Sequence, residues 1–413
     1  MALRDEALTL HQQHGGKIEI VSRVPLRAAE DLNLAYTPGV AEPCKEIHRD
    51  RFLAYRYTAK GNLVAVVSDG TAVLGLGDIG PEAALPVMEG KALLFKGFGG
   101  VDAIPICLAS REVHEIVEFI KLLEPTIGGV NLEDIAAPRC FEIESRLKRE
   151  TSIPIFHDDQ HGTAIVVLAA VINALKVVGK RMADVVCVVN GAGAAGMSTS
   201  RLLLDLGVAD VTLCDRAGAI YEGRTAGMNQ YKQAIAVDTN RRGVKTLTEA
   251  LTGADVFVGL SVAGAVTRAM IRCMNDGAVV LALANPVPEI YPEEAVAAGA
   301  AVVGTGRSDF PNQVNNVLAF PGVMRGALDS RAADINEPMK IAAAKAIAGL
   351  ITGEELDPDR VIVNAFDRRV APAVAAAVAM AARDTGMARA TVNPAEIRRR
   401  TAEMVEAANR KFG

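Results

Sequence analysis

The sequence predicts an α/β protein built from two lobes. Short apolar runs typical of strands alternate with segments in which apolar residues recur at helical spacing, a pattern that favours helices packed on parallel sheets. The length of 413 residues is also enough for two to three domains of ordinary size. We expect a first lobe over residues 1–160, a second lobe over residues 161–385, and a terminal helical segment over residues 386–413 that packs back on the first lobe.

The first lobe is expected to begin with a helix and a connector over residues 1–30. A valine-rich run then predicts a strand, the pair Asp69-Gly70 predicts a turn, and the next apolar run predicts a returning strand, so that the two strands form a hairpin. Pro81 is placed as in the first turn of a helix, where proline is tolerated. The predicted strands are 62–68, 72–76, 101–108 and 126–132, the predicted helices are 81–95 and 111–123, and a further helix and strand lead to Phe156.

The second lobe is expected to open with a long apolar helix over residues 162–178. A fully apolar strand, a glycine-rich loop and a helix follow it, and more strands recur further along the chain. After Pro321 the sequence becomes rich in alanine, which favours helices. The predicted strands are 185–189, 211–214, 256–260, 279–282 and 301–303, and the predicted helix after the loop is 197–206.

The composition excludes several classes of partner. The formal net charge of −5 gives no electrostatic reason to expect nucleic acid or an anionic membrane, and with 4% aromatic residues and no tryptophan base-stacking platforms are not expected. The longest apolar runs are too short and too rich in alanine to span a bilayer. The six cysteines form no CxxC motif and the N-terminus has no apolar signal segment, so a reduced, cytoplasmic location is expected.

Two acidic pairs follow predicted strands. Glu133-Asp134 comes after the run that ends at Leu132, and Asp158-Asp159 comes after Phe156-His157. Adjacent residues on a strand point to opposite faces, so both members of a pair reach one ion only where the chain turns at the strand end. Carboxylate oxygens suit Mg²⁺ or Mn²⁺, which keep open positions for a substrate. For each pair alone, the alternative is a solvated turn or a helix N-cap.

Histidine is confined to the first part of the chain. The six histidines lie at positions 11, 14, 48, 114, 157 and 161, and the residues after 161 contain none. Lysine or tyrosine is therefore expected to carry the proton transfers that accompany dinucleotide chemistry.

The pattern G-x-G-x-x-G occurs twice, and its context separates the two copies. The copy at 75–80 follows a predicted hairpin strand and is expected to be a structural turn. The second copy follows an apolar strand and opens a helix, and Asp215 ends the next strand. This arrangement predicts a Rossmann-type, doubly wound dinucleotide-binding domain. The residues of the second copy are Gly191, Ala192, Gly193, Ala194, Ala195 and Gly196.

Asp215 favours NAD over NADP as the cofactor. Its carboxylate is expected to accept hydrogen bonds from the ribose hydroxyl groups of NAD and to repel the additional phosphate of NADP. The adjacent Arg216 is the alternative, because its guanidinium group offers that phosphate a partner.

Several short motifs occur in one order along nearly the whole chain. They are Tyr36-Thr37-Pro38-Gly39-Val40, Glu89-Gly90-Lys91-Ala92, Asn131-Leu132-Glu133-Asp134, Phe156-His157-Asp158-Asp159-Gln160-His161-Gly162-Thr163, Ala284-Asn285-Pro286 and Asn312-Gln313-Val314-Asn315-Asn316. In order and spacing this set resembles the malic enzymes, in particular the short bacterial type without a fused acyltransferase domain.

The resemblance implies oxidative decarboxylation of L-malate to pyruvate and CO₂, with reduction of NAD or NADP, by a homodimer. It implies that Glu133, Asp134 and Asp159 hold Mn²⁺ or Mg²⁺, which acts as a Lewis acid. Lys91 is expected to take the proton of the C2 hydroxyl group, with its pKa lowered to ~7–8 by a neighbouring cation and partial burial. Tyr36 is expected to protonate C3 of the enol.

The remaining implied roles concern binding and positioning. Asp158 is expected to orient Lys91 or the metal ligands, and Thr163 and Asn285 to contact the cofactor. Asn285, Asn315 and Asn316 are expected to hold the malate carboxylate and the nicotinamide ribose. Each residue alone has a structural alternative, namely a packed aromatic side chain at Tyr36, a solvated lysine, or a capping asparagine.

One departure from the family concerns the malate carboxylate. In many long, eukaryotic-type members the Asp-Gly turn is followed by an arginine that pairs with this carboxylate, whereas Thr71-Ala72 stand at that place here. Carboxylate binding then has to come from Asn285, Asn316 or a backbone site. A metal-independent amino-acid dehydrogenase and a non-catalytic NAD sensor are the alternatives to a malic enzyme, and a contribution of Tyr36 or Lys91 across a dimer interface is left open by the sequence.

Overall fold

Helices and strands alternate along most of the chain. The computed structural model describes residues 2–73 and 75–412, without the side chains of Ala2, Lys411 and Phe412. The strands are β1 (Leu63–Ser68), β2 (Asp102–Cys107), β3 (Gly129–Leu132), β4 (Ile155–His157), β5 (Val186–Asn190), β6 (Asp210–Asp215), β7 (Gly218–Ala219), β8 (Val256–Gly259), β9 (Val279–Ala282) and β10 (Val302–Thr305). The helices are α1 (Ala2–His14), α2 (Ala29–Ala35), α3 (Ala41–Arg49), α4 (Ala54–Tyr57), α5 (Pro81–Gly99), α6 (Val113–Leu123), α7 (Arg139–Glu150), α8 (Thr163–Val177), α9 (Ala194–Asp205), α10 (Gln230–Ala236), α11 (Leu247–Leu251), α12 (Arg268–Arg272), α13 (Pro292–Ala297), α14 (Phe320–Asp329), α15 (Glu337–Ala348), α16 (Val370–Asp384) and α17 (Pro394–Phe412).

The first lobe is organised around a four-stranded parallel sheet with the order β2-β1-β3-β4. Alternate residues of β1 enter different cores. Val64 and Val66 belong to the core that includes residues of α5, whereas Ala65 and Val67 belong to the core that includes residues of α6 and α7. Because all four strands are parallel, their carboxyl ends lie along one edge of the sheet. The strand β3 begins at Gly129 and is shorter than the run predicted from residue 126.

The second lobe contains a six-stranded sheet with the order β10-β9-β8-β5-β6-β7. The strands are parallel except for the short β7, which pairs with β6 in the antiparallel direction. The strand β5 pairs with β6 on one side and with β8 on the other, so the direction of winding reverses beside β5. Such a reversal is where doubly wound sheets bind ligands.

One helical segment is long and apolar enough to cross a membrane by length and composition alone. It runs over Asp158–Val177 and joins a π-helical turn, Asp158–Gly162, to α8. Within the fold, 78% of its most apolar window is buried, and α8 packs against α9 and α15. Such burial is typical of a core helix, so the segment gives no support to a membrane span.

The C-terminal helices return to the first lobe. The helix α17 packs on α5 and α16, and α14 packs on α5 and α16. At one of these contacts Gly99 of α5 approaches Pro321 of α14 so closely that a Cβ atom at Gly99 would lie 2.9 Å from the Pro321 carbonyl oxygen. The predicted two-lobe α/β fold with helices packing back is confirmed.

The predicted hairpin after β1 is wrong. The strand β1 is bordered by β2 and β3, so neither of its edges is free to pair with a returning strand. The described residues of the predicted second strand form a turn closed by a bridge between Val73 and Gly77, and Leu74 lies outside the described residues. The backbone N–H of Ala72 donates to the carbonyl oxygen of Asp134 at 2.9 Å. This hydrogen bond fastens the loop to the acidic pair after β3.

Candidate active site

The two acidic pairs meet because β3 and β4 are parallel neighbours. Leu132, the last residue of β3, is paired with His157, the last residue of β4, so Glu133-Asp134 and Asp158-Asp159 leave the sheet side by side. Asp134 has a φ of 52°, so the chain turns directly after the strand. Such a turn is needed for the side chains of Glu133 and Asp134 to reach the same ion. Its backbone N–H donates to Oδ2 of Asp159 at 2.8 Å, which joins the two strand ends.

The structure brings the three predicted metal ligands into one cluster. Glu133, Asp134 and Asp159 each offer a carboxylate oxygen, and these three atoms lie within 4.8 Å of one another. Oδ2 of Asp134 is buried without a hydrogen-bond partner among the described residues. A set of hard oxygen ligands with an unpaired buried carboxylate oxygen fits Mg²⁺ or Mn²⁺.

Burial and mutual repulsion raise the pKa values of these carboxyl groups. Burial, with a further contribution from Asp159, raises the pKa of Glu133 to about 7 against the effect of Lys91. Burial, followed by the charges of Asp159 and Glu133, raises the pKa of Asp134 to about 9. Burial and the charge of Asp158 raise the pKa of Asp159 to about 6. A nearby positive charge favours the ionised form of each group, so a divalent cation would relieve this crowding.

Lys91 projects from α5 into the acidic cluster and is only 7% exposed. Its Nζ atom lies 2.6 Å from Oδ2 of Asp158 and 2.9 Å from Oε1 of Glu133, and 4.3 Å from the centre of the Phe320 ring. Burial alone lowers the pKa of Lys91, but the charges of the two carboxylates outweigh burial and raise it above its ordinary value. The expected lowering of this pKa depends on a neighbouring cation, and it stays a prediction.

Asp158 is fully buried and contacts Lys91 and Asn316. Its Oδ2 atom accepts hydrogen bonds from Nζ of Lys91 at 2.6 Å and from Nδ2 of Asn316 at 2.5 Å, whereas Oδ1 has no partner among the described residues. Burial raises the pKa of Asp158 to about 7 in spite of Lys91. A Cβ atom at Gly162 would lie 1.8 Å from Oδ1 of Asp158, so the glycine of this turn is required for the carboxylate to take its position.

The three predicted asparagines differ in their placement. Asn316 reaches the site through Asp158. The side-chain oxygen of Asn315 accepts from the N–H of Val317 at 3.0 Å and caps a short 3₁₀ turn, which is its structural alternative. Asn285 follows the carboxyl end of β9 and is exposed, and its amide lies beside Gly306.

Tyr36 is not joined to this site. It follows α2, its side chain is 65% exposed, and its hydroxyl group forms no hydrogen bond with the described residues. The helix α2 makes no extensive contact with any other described helix or strand, and α3 packs mainly on α4 and the turn that precedes it.

The second glycine loop joins β5 to α9 and has the geometry of a cofactor loop. A Cβ atom at Gly191 would lie 2.2 Å from the carbonyl oxygen of Leu260, and one at Gly196 would lie 1.8 Å from the carbonyl oxygen of Gly191. At Gly193, which precedes the first residue of α9, no described atom lies within 4 Å of the position of a Cβ. The exposed backbone at a helix N-terminus fits the pyrophosphate of a dinucleotide.

The loop borders a cleft of about 660 Å³ in which Asp215 forms part of the wall. Asp215 accepts a hydrogen bond from Arg224 and another from Nζ of Lys232 at 2.6 Å. Burial alone raises the pKa of Asp215, but these two bonds outweigh burial and hold it below the usual range. Arg216 lines the same cleft and is exposed. The sequence gives no sign of the roles of Arg224 and Lys232, since they lie 9 and 17 residues after Asp215 in no recognised motif.

A second buried network, also missed from the sequence, supports the turn that carries Asp158 and Asp159. Oε1 of Glu144 lies 2.6 Å from Nε2 of His161, and Nδ1 of His161 lies 2.9 Å from Oγ of Ser198. Burial is the main reason that the pKa of His161 is lowered to about 4. The network ties the turn to α7 and α9, and no sequence motif marks Glu144 or Ser198 as its members.

The matches to protein families follow the two lobes. The malic enzyme N-terminal domain matches residues 15–148, and the malic enzyme NAD-binding domain matches residues 160–383. The chain belongs to the malic enzyme family.

Individual relatives of this malic enzyme are similar along most of its length. A bifunctional malic/malolactic enzyme from Bacillus subtilis is 62% identical over 98% of this chain and 99% of its own. An NAD-dependent malic enzyme from Geobacillus stearothermophilus is 53% identical over 91% of this chain and 78% of its own. An NADP-dependent malic enzyme from Rhizobium meliloti is 50% identical, and the match spans 93% of this chain and 52% of the relative.

Solved structures agree with this relationship. The malic enzyme from Pyrococcus horikoshii superposes with a TM-score of 0.94 at 47% identity, covering 99% of this chain and 97% of the other. The NAD-dependent malic enzyme from Thermotoga maritima superposes with a TM-score of 0.87 at 50% identity, covering 90% and 98%. The expected family is confirmed, and malate oxidation with NAD or NADP is favoured over an amino-acid dehydrogenase and over a non-catalytic sensor.

Proposed function

We propose that this malic enzyme converts L-malate to pyruvate and CO₂ while reducing NAD or NADP. The observation that carries the proposal is the meeting of three carboxylates and a buried lysine at the ends of two parallel strands. The glycine loop and its cleft supply a place for the dinucleotide in the second lobe.

Glu133, Asp134 and Asp159 are the proposed ligands of Mn²⁺ or Mg²⁺. When bound, the ion supplies a Lewis acid that stabilises negative charge developing on the substrate oxygen during decarboxylation. The turn at Asp134 and its hydrogen bond to Asp159 hold two of these carboxylates on one side of the strand ends. Glu133 and Asp134 are buried, whereas Asp159 is half-buried and faces the open side of the cluster, where a substrate could approach.

Lys91 is the proposed acceptor of the C2 hydroxyl proton as hydride passes to the nicotinamide. The amine has to release its own proton first. Asp158 lies 2.6 Å from Nζ and is the proposed group that orients the amine. Asn316 donates to the same carboxylate oxygen and fixes its orientation.

The later steps use Tyr36 and the asparagines. Tyr36 is the proposed acid that protonates C3 of the enol to give pyruvate. Asn285 and Asn316, with Asn315 in the same segment as Asn316, are proposed to bind the malate carboxylate and the nicotinamide ribose, since Thr71-Ala72 provide no cation after the Asp-Gly turn.

Thr163 and the loop from Gly191 to Gly196 are the proposed contacts of the cofactor phosphates and nicotinamide. We propose that NAD is preferred, because Asp215 offers its carboxylate to the ribose hydroxyl groups. Lys232 and Arg224 offset the charge of Asp215, so its repulsion of the NADP phosphate is weaker than an isolated carboxylate would give. The NADP reaction is therefore expected to remain measurable.

The chain is further proposed to act as a cytoplasmic homodimer. All six cysteines, which lie within the described residues, are free thiols, and this agrees with a reducing compartment. The division into residues 1–160, 161–385 and 386–413 stays a prediction. Its internal boundaries lie near the ends of the two family matches, and limited proteolysis with mass spectrometry of the fragments tests it.

The direct test is turnover of L-malate with Mn²⁺ and either NAD or NADP, with reduced cofactor and CO₂ followed together. A chelator should stop the reaction, and excess Mn²⁺ should restore it. Lys91→Ala should abolish oxidation, whereas Lys96→Ala, on the same helix but half-buried in a pair with Asp102, should leave it intact. Absence of turnover with both cofactors, or turnover that survives chelation, contradicts the proposal.

A second activity is proposed from one relative. The Bacillus subtilis protein at 62% identity is described as a bifunctional malic/malolactic enzyme. In a malolactic reaction the hydride taken from malate returns to pyruvate, so that malate gives lactate and CO₂ with no net change of cofactor. If this chain has the activity, the lactate that it forms from malate should exceed the supplied NAD many times over. Pyruvate as the sole product would exclude the activity.

A further inference from the structure

We infer that the hydrogen bond between His161 and Ser198 couples the metal site to the cofactor site, so that each ligand binds more tightly when the other is bound. The inference rests on the proposed function, in which Asp159 is a metal ligand and the loop before α9 holds the dinucleotide. It makes His161 and Ser198 positioning residues, since both act through the elements that carry them and neither is a proposed ligand of the metal or the cofactor.

His161 lies in the same π-helical turn as the proposed metal ligand Asp159. The turn runs over Asp158–Gly162, and the side chain of His161 within it is buried. The turn packs on α9 on one side and continues directly into α8. Because the five residues form one hydrogen-bonded turn, a displacement of the imidazole also displaces the carboxylate of Asp159.

Each ring nitrogen of His161 has a partner on a different helix. Nε2 lies 2.6 Å from Oε1 of Glu144 on α7, and Nδ1 lies 2.9 Å from Oγ of Ser198 on α9. The ring therefore cannot tilt or shift without breaking one of two largely buried hydrogen bonds, and such a loss is costly away from water. The position of the turn consequently follows the position of α9.

The bond to Glu144 keeps the turn in place when the bond to Ser198 is removed. Glu144 is buried, and Nζ of Lys148 lies 3.7 Å from its Oε1 atom. Burial alone raises the pKa of Glu144, but its contacts with His161 and Lys148 outweigh burial and hold this pKa well below its usual range. An ionised carboxylate makes the stronger hydrogen bond, so His161 stays attached to α7. Loss of the Ser198 hydroxyl group should therefore separate the turn from α9 without dismantling the metal site.

Ser198 connects the turn to the cofactor loop through α9. The helix begins at Ala194, directly after Gly193 of the loop, and Ser198 lies one turn further along the same face. Ala194 packs against the core of the first lobe that includes residues of α6 and α7. The same helix thus contacts the first lobe with its side, whereas its N-terminal N–H groups face the proposed site of the pyrophosphate.

The turn has a second contact toward the proposed cofactor site. Asn316 donates to Oδ2 of Asp158 at 2.5 Å and belongs to the segment proposed to bind the nicotinamide ribose. This contact does not involve α9, so it stays intact when Ser198 loses its hydroxyl group. Substitution at Ser198 therefore separates the connection through α9 from the connection through Asn316.

The two ligands are expected to favour each other because they order connected elements. The cation fixes Asp159 on the turn, and the pyrophosphate fixes the N-terminus of α9. Once one ligand has fixed its element, the element bonded to it is already in position, and the second ligand loses less conformational entropy when it binds. The factor is the same in both directions, and such couplings are typically about 5–150-fold.

Binding measurements in the absence of malate, and hence without turnover, test the inference. Electron paramagnetic resonance of free Mn²⁺ gives Kd for Mn²⁺ with and without saturating NAD, and a protein-free blank corrects for Mn²⁺ held by NAD itself. Calorimetry gives Kd for NAD with and without saturating Mn²⁺. In wild type each ligand should lower the Kd of the other by the same factor, at least about fivefold. In Ser198→Ala both factors should fall close to one.

Two variants on the same helix control for general effects of substitution. Ser200→Ala removes a buried hydroxyl group that has no hydrogen-bond partner among the described residues, and Ser198→Thr keeps a hydroxyl group at the coupling position. Both variants should keep the wild-type factor.

The coupling factor distinguishes the inference from a purely structural role of Ser198. A substitution that only loosens the fold lowers Tm or both affinities and leaves the factor unchanged. Equal factors in wild type and Ser198→Ala, or no mutual effect in wild type, would overturn the inference and leave the proposed function intact. Absence of both Mn²⁺ and NAD binding in wild type would contradict the proposed function, and the inference with it.

Hydrogen exchange followed by mass spectrometry gives a second readout that needs no dinucleotide. Mn²⁺ alone should slow amide exchange in peptides from α9 in wild type and in Ser200→Ala, because the cation holds the turn and the turn holds the helix. The slowing should be lost in Ser198→Ala. Equal slowing in Ser198→Ala, or no slowing in wild type, would overturn the inference.

Discussion

Alanine at two glycines of the cofactor loop should have opposite consequences. At Gly196 a Cβ atom would lie 1.8 Å from the carbonyl oxygen of Gly191 and 2.9 Å from its carbon, so backbone atoms have to move. At Gly193 the φ of −89° is ordinary for alanine, and no described atom lies within 4 Å of the added carbon. Gly196→Ala should therefore damage the fold, whereas Gly193→Ala should damage only the binding of the cofactor.

The sizes of the two effects follow from these distances. Forcing extra atoms into a packed site costs about 1–3 kcal/mol and sometimes more, and a backbone overlap as severe as that at Gly196 belongs at the upper end. A loss of about 3 kcal/mol corresponds to roughly 6–12 °C in Tm for a domain of about 150–250 residues. Gly193→Ala should keep Tm or raise it slightly, since a compatible Gly→Ala change stabilises by about 0.4–1 kcal/mol through the unfolded chain. Its added methyl group should weaken NAD and NADP binding by at least about tenfold, or ~1.4 kcal/mol.

Two assays separate these effects. Thermal unfolding followed by circular dichroism, without cofactor, gives Tm for each variant. Isothermal titration calorimetry gives Kd for both cofactors and avoids intrinsic tryptophan fluorescence, which this chain lacks. Unchanged Kd values in Gly193→Ala would show that the pyrophosphate does not approach this loop, and an unchanged Tm in Gly196→Ala would show that the loop differs from the geometry described.

Three further predictions concern the lysines and a buried histidine. Lys91→Ala should lower kcat by at least about 10²-fold, which is the usual contribution of a positioned acid or base, whereas Lys96→Ala should keep the wild-type kcat. Equal rates in wild type and both variants would remove Lys91 from the mechanism. Lys232→Ala should raise the KM for NADP more than the KM for NAD, because it removes a cation beside the proposed ribose site and leaves Arg224 paired with Asp215. An equal change in both KM values would show that Lys232 does not contact the NADP phosphate. His157 is fully buried, and burial lowers its pKa to about 4, whereas in the unfolded chain the same imidazole binds a proton below about pH 6.5. The free energy of unfolding should therefore fall by up to about 3 kcal/mol as the pH falls from about 6.5 to 4. His157→Phe should flatten this part of the pH profile of urea unfolding. An identical profile in the variant would assign the acid sensitivity to other groups.

The sequence was most informative where a local rule has one geometric outcome. Acidic residues directly after two parallel strands had to emerge at one edge of the sheet, so the meeting of Glu133, Asp134 and Asp159 was predictable without knowledge of the loops. The context of the second glycine pattern likewise predicted a strand before the loop and a helix after it, and β5 and α9 occupy these places.

Other features depended on contacts distant in sequence. The hairpin after β1 looked favourable locally, but the pairing of β1 with β2 and β3 occupies both of its edges. The pKa of Lys91 depends on Asp158, which lies 67 residues further along the chain, and a motif does not reveal the sign of their combined effect. The same holds for Glu144, whose contact with His161 depends on how α7 packs beside the π-helical turn.

Three carboxylates at two strand ends are proposed to hold one divalent cation. Electron paramagnetic resonance of free Mn²⁺ during titration measures this directly, for wild type and for Asp134→Asn, in which asparagine keeps the left-handed backbone that Asp134 adopts. Asp184→Asn, an exposed acid outside the site, is the control. We expect one tight site per wild-type and control chain, and a loss of affinity in Asp134→Asn at least as large as the ~10–100-fold that changes to outer partners of metal ligands cause. Equal Mn²⁺ affinity in all three proteins would show that Asp134 is not a ligand of the ion.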